Sequence, residues 1–217
     1  MPDYEIRLWN GSNFDLDSAP EYVRQAVAKR KWAFAADYIR LHALHAEGGI
    51  YLDSDVMVLK PFDPLLNHSF MTSLEYHPTQ CEGTGAYEMV DAHGNRIADG
   101  YLAGIMLQAA VMGAEKGSQF VADVMKWYAD KQFIRADGLL ETSIVAPQIY
   151  ARVAEDYGFK YVDKDQQLSD GVMIYRSEIF AGNRHEVTPA SFAIHYCAHS
   201  WHPSPLEKLR NFLGIKQ

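Results

Sequence analysis

The sequence predicts a single α/β domain in which helices flank a mixed β-sheet. Its 217 residues are enough for one domain with a full hydrophobic core. Short apolar segments of strand length alternate with longer segments of helical periodicity along the chain. No internal repeat and no linker-like stretch divides the sequence, so we expect residues 1–217 to form one domain.

The individual elements follow from periodicity and from glycine and proline. Alternating apolar residues predict a strand over residues 4–9, and Pro20 favours a helix that continues to residue 30. A second helix is predicted over residues 32–47, because Gly48-Gly49 follow and would end it. Its apolar positions at helical spacing are Trp32, Ala35, Ala36, Ile39, Ala43 and Ala46.

The later elements alternate in the same way. The pattern predicts strands over residues 50–59, 70–75, 172–175 and 192–194. It predicts helices over residues 118–131 and 144–157. Residues 79–100 are rich in glycine and polar side chains, which is typical of a long loop.

Composition and charge exclude several classes of protein. The formal net charge of −8, with no basic cluster, argues against a nucleic-acid partner. The N-terminus lacks the basic and apolar regions of a secretory signal, and the longest near-apolar stretch, residues 101–114, is too short to span a membrane. The two cysteines, Cys81 and Cys197, show no metal-binding spacing. We therefore expect a cytoplasmic protein.

The most informative feature is a pair of carboxylates after a short apolar strand. Residues 50–52 form that strand, and because strand side chains alternate, Asp53 and Asp55 should point the same way. Two such carboxylates suit a hard divalent cation that holds a diphosphate. The same spacing recurs at residues 15–17 and 163–165, but there in polar surroundings that favour solvated turns or caps.

The context of this pair resembles the sugar-binding signature of family-32 glycosyltransferases. These include bacterial capsule and lipopolysaccharide enzymes similar to the yeast initiating mannosyltransferase. The specific part runs from Ala36-Asp37-Tyr38-Ile39-Arg40 to Gly48-Gly49-Ile50-Tyr51-Leu52-Asp53-Ser54-Asp55. Further similarity covers residues 2–10, 56–66, 193–196 and 200–201, and the resemblance is most specific between residues 32 and 66.

The resemblance implies a metal site and a nucleotide-sugar site. Asp53, Asp55 and His195 would bind Mn²⁺ or Mg²⁺, which an oxygen-rich site favours. The catalytic residues would be Asp37, Arg40, Asp53 and Asp55. The residues that would contact a UDP- or GDP-hexose are Asp37, Arg40, Gly49, Asp53, Ser54, Ser200 and Trp201.

The resemblance also implies the reaction and the architecture. We expect a GT-A-like, Rossmann-type mixed sheet and retaining transfer of a hexosyl unit, in surface polysaccharide synthesis. Relatives begin with a central strand some tens of residues before the segment that matches Pro2, and we expect this chain to lack it. The acceptor would be a saccharide or a lipid-linked molecule. The apolar C-terminal stretch from Leu206 to Ile215 suits either core packing or peripheral contact with the inner face of a membrane.

Two alternative functions remain open from the sequence. A phosphatase of the haloacid dehalogenase type also places Asp-x-Asp after a strand, although here a helix and Gly48-Gly49 precede the motif. A catalytically inactive module that binds sugar nucleotides is the second alternative. The presence of Asp53, Asp55 and His195 weighs against it.

Overall fold

The computed structural model describes residues 4–197 and has a mixed α/β architecture, which confirms the predicted fold class. The helices are α1 (Glu21–Ala28), α2 (Trp32–Glu47), α3 (Pro78–Thr84), α4 (Gln119–Trp127) and α5 (Ala146–Glu155). The strands are β1 (Gly49–Leu52), β2 (Val56–Val58), β3 (Phe70–Tyr76), β4 (Ile105–Leu107), β5 (Val111–Ala114), β6 (Gln166–Gln167), β7 (Val172–Tyr175), β8 (Phe180–Ala181) and β9 (Ala193–His195).

The strands form two sheets. The larger has the order β1-β5-β3-β7-β6, with β4 also paired to β3. It is mixed, because β3 and β7 run parallel while its other pairs are antiparallel. The smaller sheet has the order β2-β9-β8, with β9 antiparallel to β2 and parallel to β8.

Two hydrophobic clusters hold these elements together. The larger joins α1, α2, α4 and α5 to the large sheet and contains edge-to-face contacts of Tyr22 with Tyr128 and Phe133. The smaller joins the two sheets, with Met71 from β3 packed in one cluster with Phe180 from β8. Burial of one such large side chain contributes about 1.5–3 kcal/mol, so both clusters stabilise the arrangement of the two sheets.

The predicted strand over residues 4–9 is wrong. The backbone there pairs with no strand in the described part of the chain, and Ile6 and Leu8 are 95% and 75% exposed. Side chains hold the segment instead, through an Arg7–Glu47 ion pair of 2.5 Å and an edge contact of Trp9 with the ring of His42. A segment with alternating apolar residues forms a strand only where a partner strand lies beside it and takes up its backbone hydrogen bonds.

Two further predictions need correction. Residues 79–100 are not one long loop, because α3 occupies Pro78–Thr84 and a short 3₁₀ helix follows at Ala86–Met89. Helix α2 buries a different face from the one predicted: Trp32 is 61% exposed, whereas Phe34, Ala35, Arg40, Leu41 and Leu44 are buried. Alanines give little contrast between the two faces, so the pattern could not fix the rotation of the helix.

The remaining elements confirm the sequence-based assignment. Helices α2, α4 and α5 and strands β3, β7 and β9 lie within four residues of their predicted positions, which is the usual uncertainty of helix and strand ends. The strand predicted over residues 50–59 is instead two strands in different sheets, β1 and β2, because the chain turns at residues 53–55. Between residues 4 and 197, no helix has the length and apolar character needed to cross a bilayer.

Candidate metal centre

The carboxylate pair lies in a turn that joins the two sheets. Strand β1 ends at Leu52, and the Asp53 amide donates to the carbonyl of Ala110 (2.9 Å), which continues the pairing with the neighbouring strand. The Val56 amide then donates back to the carbonyl of Asp53 (3.1 Å) and closes the turn before β2. The two carboxylates therefore converge because of a turn and not because of strand alternation.

His195 reaches this turn through the register of the small sheet. It is the last residue of β9 and pairs directly with Val56 of β2. The next amide, that of Tyr196, donates to the carbonyl of Asp55 (3.1 Å). This register places His195 Nε2 3.5 Å from Asp55 Oδ1.

The three side chains have the geometry and chemistry of a divalent-cation site. One ligand atom from each of Asp53, Asp55 and His195 lies within 4.8 Å of the others, and all three residues are partly buried. Two hard carboxylate oxygens and one borderline imidazole nitrogen form an oxygen-rich donor set that could hold Mn²⁺ or Mg²⁺, and the imidazole favours Mn²⁺ of the two. The structure thus brings together the three metal ligands proposed from the sequence.

Cys197 supports the orientation of the histidine. Its Sγ lies 3.3 Å from His195 Nδ1, so Nε2 is the ring nitrogen directed at the carboxylates. Burial, and then the charges of Glu75 and Asp55, raise the pKa of the Cys197 thiol to about 12, so it stays protonated at neutral pH. A partner on the second ring nitrogen fixes the ring of a metal-binding histidine.

An ion pair on α2 lies directly behind the carboxylates. Arg40 is 7% exposed, and its Nη2 lies 2.9 Å from Asp37 Oδ1, one helical turn away. Its Nη1 donates to the carbonyl of Ala109 (2.8 Å) and lies 3.5 Å from Asp53 Oδ1. Arg40 therefore connects the helix to the turn that carries the candidate metal ligands Asp53 and Asp55.

The electrostatics of this pair are those of a buried site. Burial raises the pKa of Asp37 to about 6, even though the neighbouring Arg40 lowers it. Near neutral pH the carboxylate is therefore mostly ionised, but it is poised to bind a proton at mildly acidic pH. A carboxylate of this kind can accept hydrogen bonds from hydroxyl groups.

Tyr51 completes the site, and the sequence analysis did not select it. Its hydroxyl donates to Asp53 Oδ1 (2.5 Å), and its ring lies under the guanidinium of Arg40, 4.7 Å from ring centre to Cζ. Strand alternation puts Tyr51 and Asp53 on the same side of β1, so the pattern did contain this signal. The backbone carbonyl of Ala109 carries no sequence signal at all.

The remaining residues predicted to contact the nucleotide sugar are exposed or lie outside residues 4–197. Gly49 begins β1 with a positive φ of 103° and is exposed. Ser54 is exposed at the tip of the turn between the two carboxylates. Ser200 and Trp201, proposed to close over a diphosphate, lie outside the described residues, as does the apolar C-terminal stretch.

Comparison with known proteins agrees with this geometry. Residues 1–71, which include Asp53 and Asp55, match the family model of a glycosyltransferase sugar-binding region containing a DXD motif. The chain is similar to glucan organizing enzyme 1 of Cryptococcus neoformans var. grubii, with 45% identity over 49 residues, 23% of this chain and 13% of that protein. The chain thus spans a small part of this relative's length.

A solved structure provides a weaker comparison. The PaToxG glycosyltransferase superposes over 65% of this chain and 42% of its own, with 18% identity and a TM-score of 0.40. His195 lies outside the range that the family model matches, so its place in the centre rests on geometry.

Proposed function

Because residues 1–71 carry a glycosyltransferase sugar-binding region with its DXD motif, we propose that this protein is a metal-dependent glycosyltransferase. It transfers a hexosyl unit from a UDP- or GDP-sugar to a saccharide or lipid-linked acceptor. The observation that carries the proposal is the convergence of Asp53, Asp55 and His195 within 4.8 Å.

The residues divide the work of such a reaction. Asp53, Asp55 and His195 would hold Mn²⁺ or Mg²⁺, which supplies charge neutralisation for a diphosphate leaving group. Arg40 holds Asp37 on one side and borders Asp53 on the other, so it keeps both carboxylates in place. Asp37 accepts hydrogen bonds from sugar hydroxyls while it is ionised.

The finer features of the proposal rest on the family resemblance. We propose that the transfer retains the anomeric configuration and that the enzyme takes part in surface polysaccharide synthesis. We also propose a cytoplasmic location at the inner face of the membrane. Proton NMR of the product of a turnover reaction would identify its anomer.

Thermal unfolding with nucleotide and metal tests the proposal directly. A ligand that binds only the folded state raises Tm, so UDP or GDP with Mn²⁺ should raise the Tm of the wild type. The substitution Asp55→Asn should abolish that rise. The exposed Asp17→Asn, from the other Asp-x-Asp spacing at residues 15–17, is the matched control and should retain it.

The outcome separates the alternatives. A wild type whose Tm does not respond to either nucleotide with Mn²⁺ would contradict the proposal. Hydrolysis of an aryl phosphate without nucleotide binding would favour a phosphatase. Nucleotide binding without transfer or hydrolysis of any nucleotide sugar would favour an inactive binding module.

A further inference from the structure

A glutamate and a histidine lie together at the end of β3, outside the metal centre. Glu75 Oε1 is 3.4 Å from His77 Nε2, and the two side chains are 21% and 31% exposed. Within the part of the chain that the structure describes, Glu75 Oε2 takes part in no hydrogen bond or ion pair. That oxygen is accessible from solvent, because it is not one of the buried polar atoms without a partner. We call Glu75 and His77 the β3 pair.

The fold holds the histidine of this pair in place. The amide of His77 donates to the carbonyl of Gly104 (2.7 Å), and its carbonyl accepts the amides of Gln80 and Cys81 at the start of α3 (3.0 Å each). The hydrogen bond with Glu75 raises the pKa of the His77 imidazole, against the effect of burial, and so favours the protonated ring. A protonated ring donates to Glu75 Oε1, which leaves Oε2 for another donor.

The register of the large sheet places the β3 pair at the same end as the metal centre. Strands β1 and β3 both run antiparallel to β5, so they are parallel to each other, and Gly49 and Phe70 share Ala114 as a partner. Asp53 lies four residues beyond that level on one strand, and Glu75 lies five residues beyond it on the other. Because two strand spacings separate β1 from β3, the backbones of Asp53 and Glu75 are about 10 Å apart.

Side-chain contacts connect the β3 pair to the candidate ligand His195. A Cβ at Gly182 would lie 3.4 Å from His77 Cε1, so the imidazole of the pair packs beside the chain that follows β8. The carbonyl of Gly182 is 3.7 Å from Cys197 Sγ, and that sulfur is 3.3 Å from His195 Nδ1. The β3 pair is therefore a neighbour of the metal centre through the small sheet as well as through the large one.

An exposed aromatic ring lies close to the pair. Tyr101 is 40% exposed, while the next residue, Leu102, is buried and anchors the chain. Burial, and then the charge of Glu75, raise the pKa of the Tyr101 phenol, so the carboxylate is near enough to act on it. An aromatic face packs against the C–H groups of a sugar ring, and a carboxylate accepts hydrogen bonds from its hydroxyls. The three side chains thus suit a neutral molecule rich in hydroxyl groups.

We propose that Glu75, His77 and Tyr101 form the subsite for the sugar ring of the acceptor. Glu75 Oε2 accepts a hydrogen bond from a hydroxyl of that sugar, His77 holds Oε1, and the Tyr101 ring packs on the apolar face of the sugar. This inference rests on the proposed function, because the distance of about 10 Å from Asp53 leaves room for the transferred hexosyl unit beside the metal. Among the described residues, the candidate metal centre is the only group of three cation-ligating side chains, so the β3 pair is not a second metal site.

Saturation-transfer NMR titrations with methyl glycosides of glucose, galactose and mannose test the subsite. The protein is loaded with UDP or GDP and Mn²⁺, and the wild type should bind at least one glycoside. For that glycoside, Glu75→Gln should raise Kd about tenfold, because a charged acceptor is lost, and Tyr101→Leu should raise it about fivefold. Tyr101→Phe keeps the ring, and Glu88→Gln removes an exposed carboxylate from the 3₁₀ helix at Ala86–Met89; both matched controls should bind like the wild type.

The nucleotide-induced Tm shift with Mn²⁺, measured on the same samples, separates this inference from the proposed function. All four variants should keep that shift. A wild-type Kd in either folded test variant, no glycoside signal from the wild type, or a Tm shift lost together with the glycoside signal would overturn the inference. If the wild type shows no Tm shift, the proposed function fails, and titration of the glycosides without nucleotide then decides. A Kd raised in the test variants but not in the controls would support a saccharide subsite, and equal values would overturn it.

Discussion

Replacement of Arg40 by methionine should be among the most destabilising substitutions in this protein. The methionine fills much of the same volume but removes the positive charge that faces Asp37 at 2.9 Å. Loss of one partner from a buried ion pair costs about 3–5 kcal/mol, because the other charge stays buried without compensation. The carbonyl of Ala109, which is also buried, loses its donor in the same substitution.

Protonation of Asp37 should reduce the destabilisation of the Arg40→Met variant at low pH. The pKa of Asp37 is raised to about 6 by burial with Arg40 present, and it should rise further without Arg40. At pH 5 Asp37 would be neutral in Arg40→Met, whereas at pH 8 it must either stay charged or take up a proton from dilute solution. We therefore expect the loss of unfolding free energy to be about 4 kcal/mol at pH 8 and clearly smaller at pH 5.

A double-mutant cycle isolates this effect. Urea unfolding followed by circular dichroism gives the unfolding free energy of the wild type, Arg40→Met, Asp37→Asn and the double variant. The double variant should recover most of the stability at pH 8, since neither member of the buried Arg40–Asp37 pair is then charged. A loss below about 1 kcal/mol at pH 8, or no recovery in the double variant, would refute this account of the site.

Three other predictions concern metal affinity, backbone geometry and pH. His195→Ala should raise, at least tenfold, the Mn²⁺ concentration that gives half of the nucleotide-induced Tm shift. Substitution of the exposed His185 by alanine should leave that concentration unchanged, and equal effects of the two substitutions would show that His195 is not a ligand. Gly48→Ala should lower the unfolding free energy measured in urea by about 3 kcal/mol, because φ is +73° and a Cβ would lie 2.7 Å from the backbone nitrogen of Lys116. Gly117→Ala, where φ is also positive but the space is open, should lower it by about 1 kcal/mol, and similar losses in the two variants would contradict the close approach at Gly48. The pKa of Asp37 is about 6 in the folded state and near 3.8 in the unfolded state, so the folded chain binds the proton more tightly, and the stability that this group contributes below pH 4 is lost as the pH rises through 6. The unfolding free energy of Asp37→Asn should therefore rise relative to that of the wild type between about pH 4 and pH 6. A difference that does not change with pH would show that the carboxyl group titrates normally.

The sequence was sufficient to select two residues of the candidate centre, Asp53 and Asp55, because they follow recognisable local signals, whereas His195 was expected from the family resemblance. Gly48 ends α2 with a positive φ, and Gly49, also with a positive φ, begins the strand that leads directly to Asp53. The convergence of Asp53 and Asp55 was predicted for the wrong reason, since it comes from a turn between two sheets. The prediction succeeded because the backbone reverses within three residues, which keeps both side chains close.

Other parts of the structure depend on contacts that no local pattern encodes. Residues 4–9 have a strand-like alternation, yet strand formation requires a partner that the described chain does not place beside them. The rotation of α2 is decided by what packs against it, and the ring of Tyr51 under Arg40 belongs to that packing. Gln108 appeared in the sequence only as a polar residue in an apolar stretch, and the lack of a hydrogen-bond partner for its Oε1 among residues 4–197 became visible only in three dimensions.

The position of the turn at residues 53–55 has a mechanical consequence. Asp53 follows directly from the large sheet, whereas His195 ends a strand of the small one, so an ion held by both would act as a cross-link between the two sheets. Local opening of the small sheet would then require release of the ion, so the free energy of metal binding would add to the free energy of opening. Amide hydrogen exchange through local opening of β2 and β9 should therefore slow as the metal concentration rises, which makes the three-stranded sheet a reporter of occupancy.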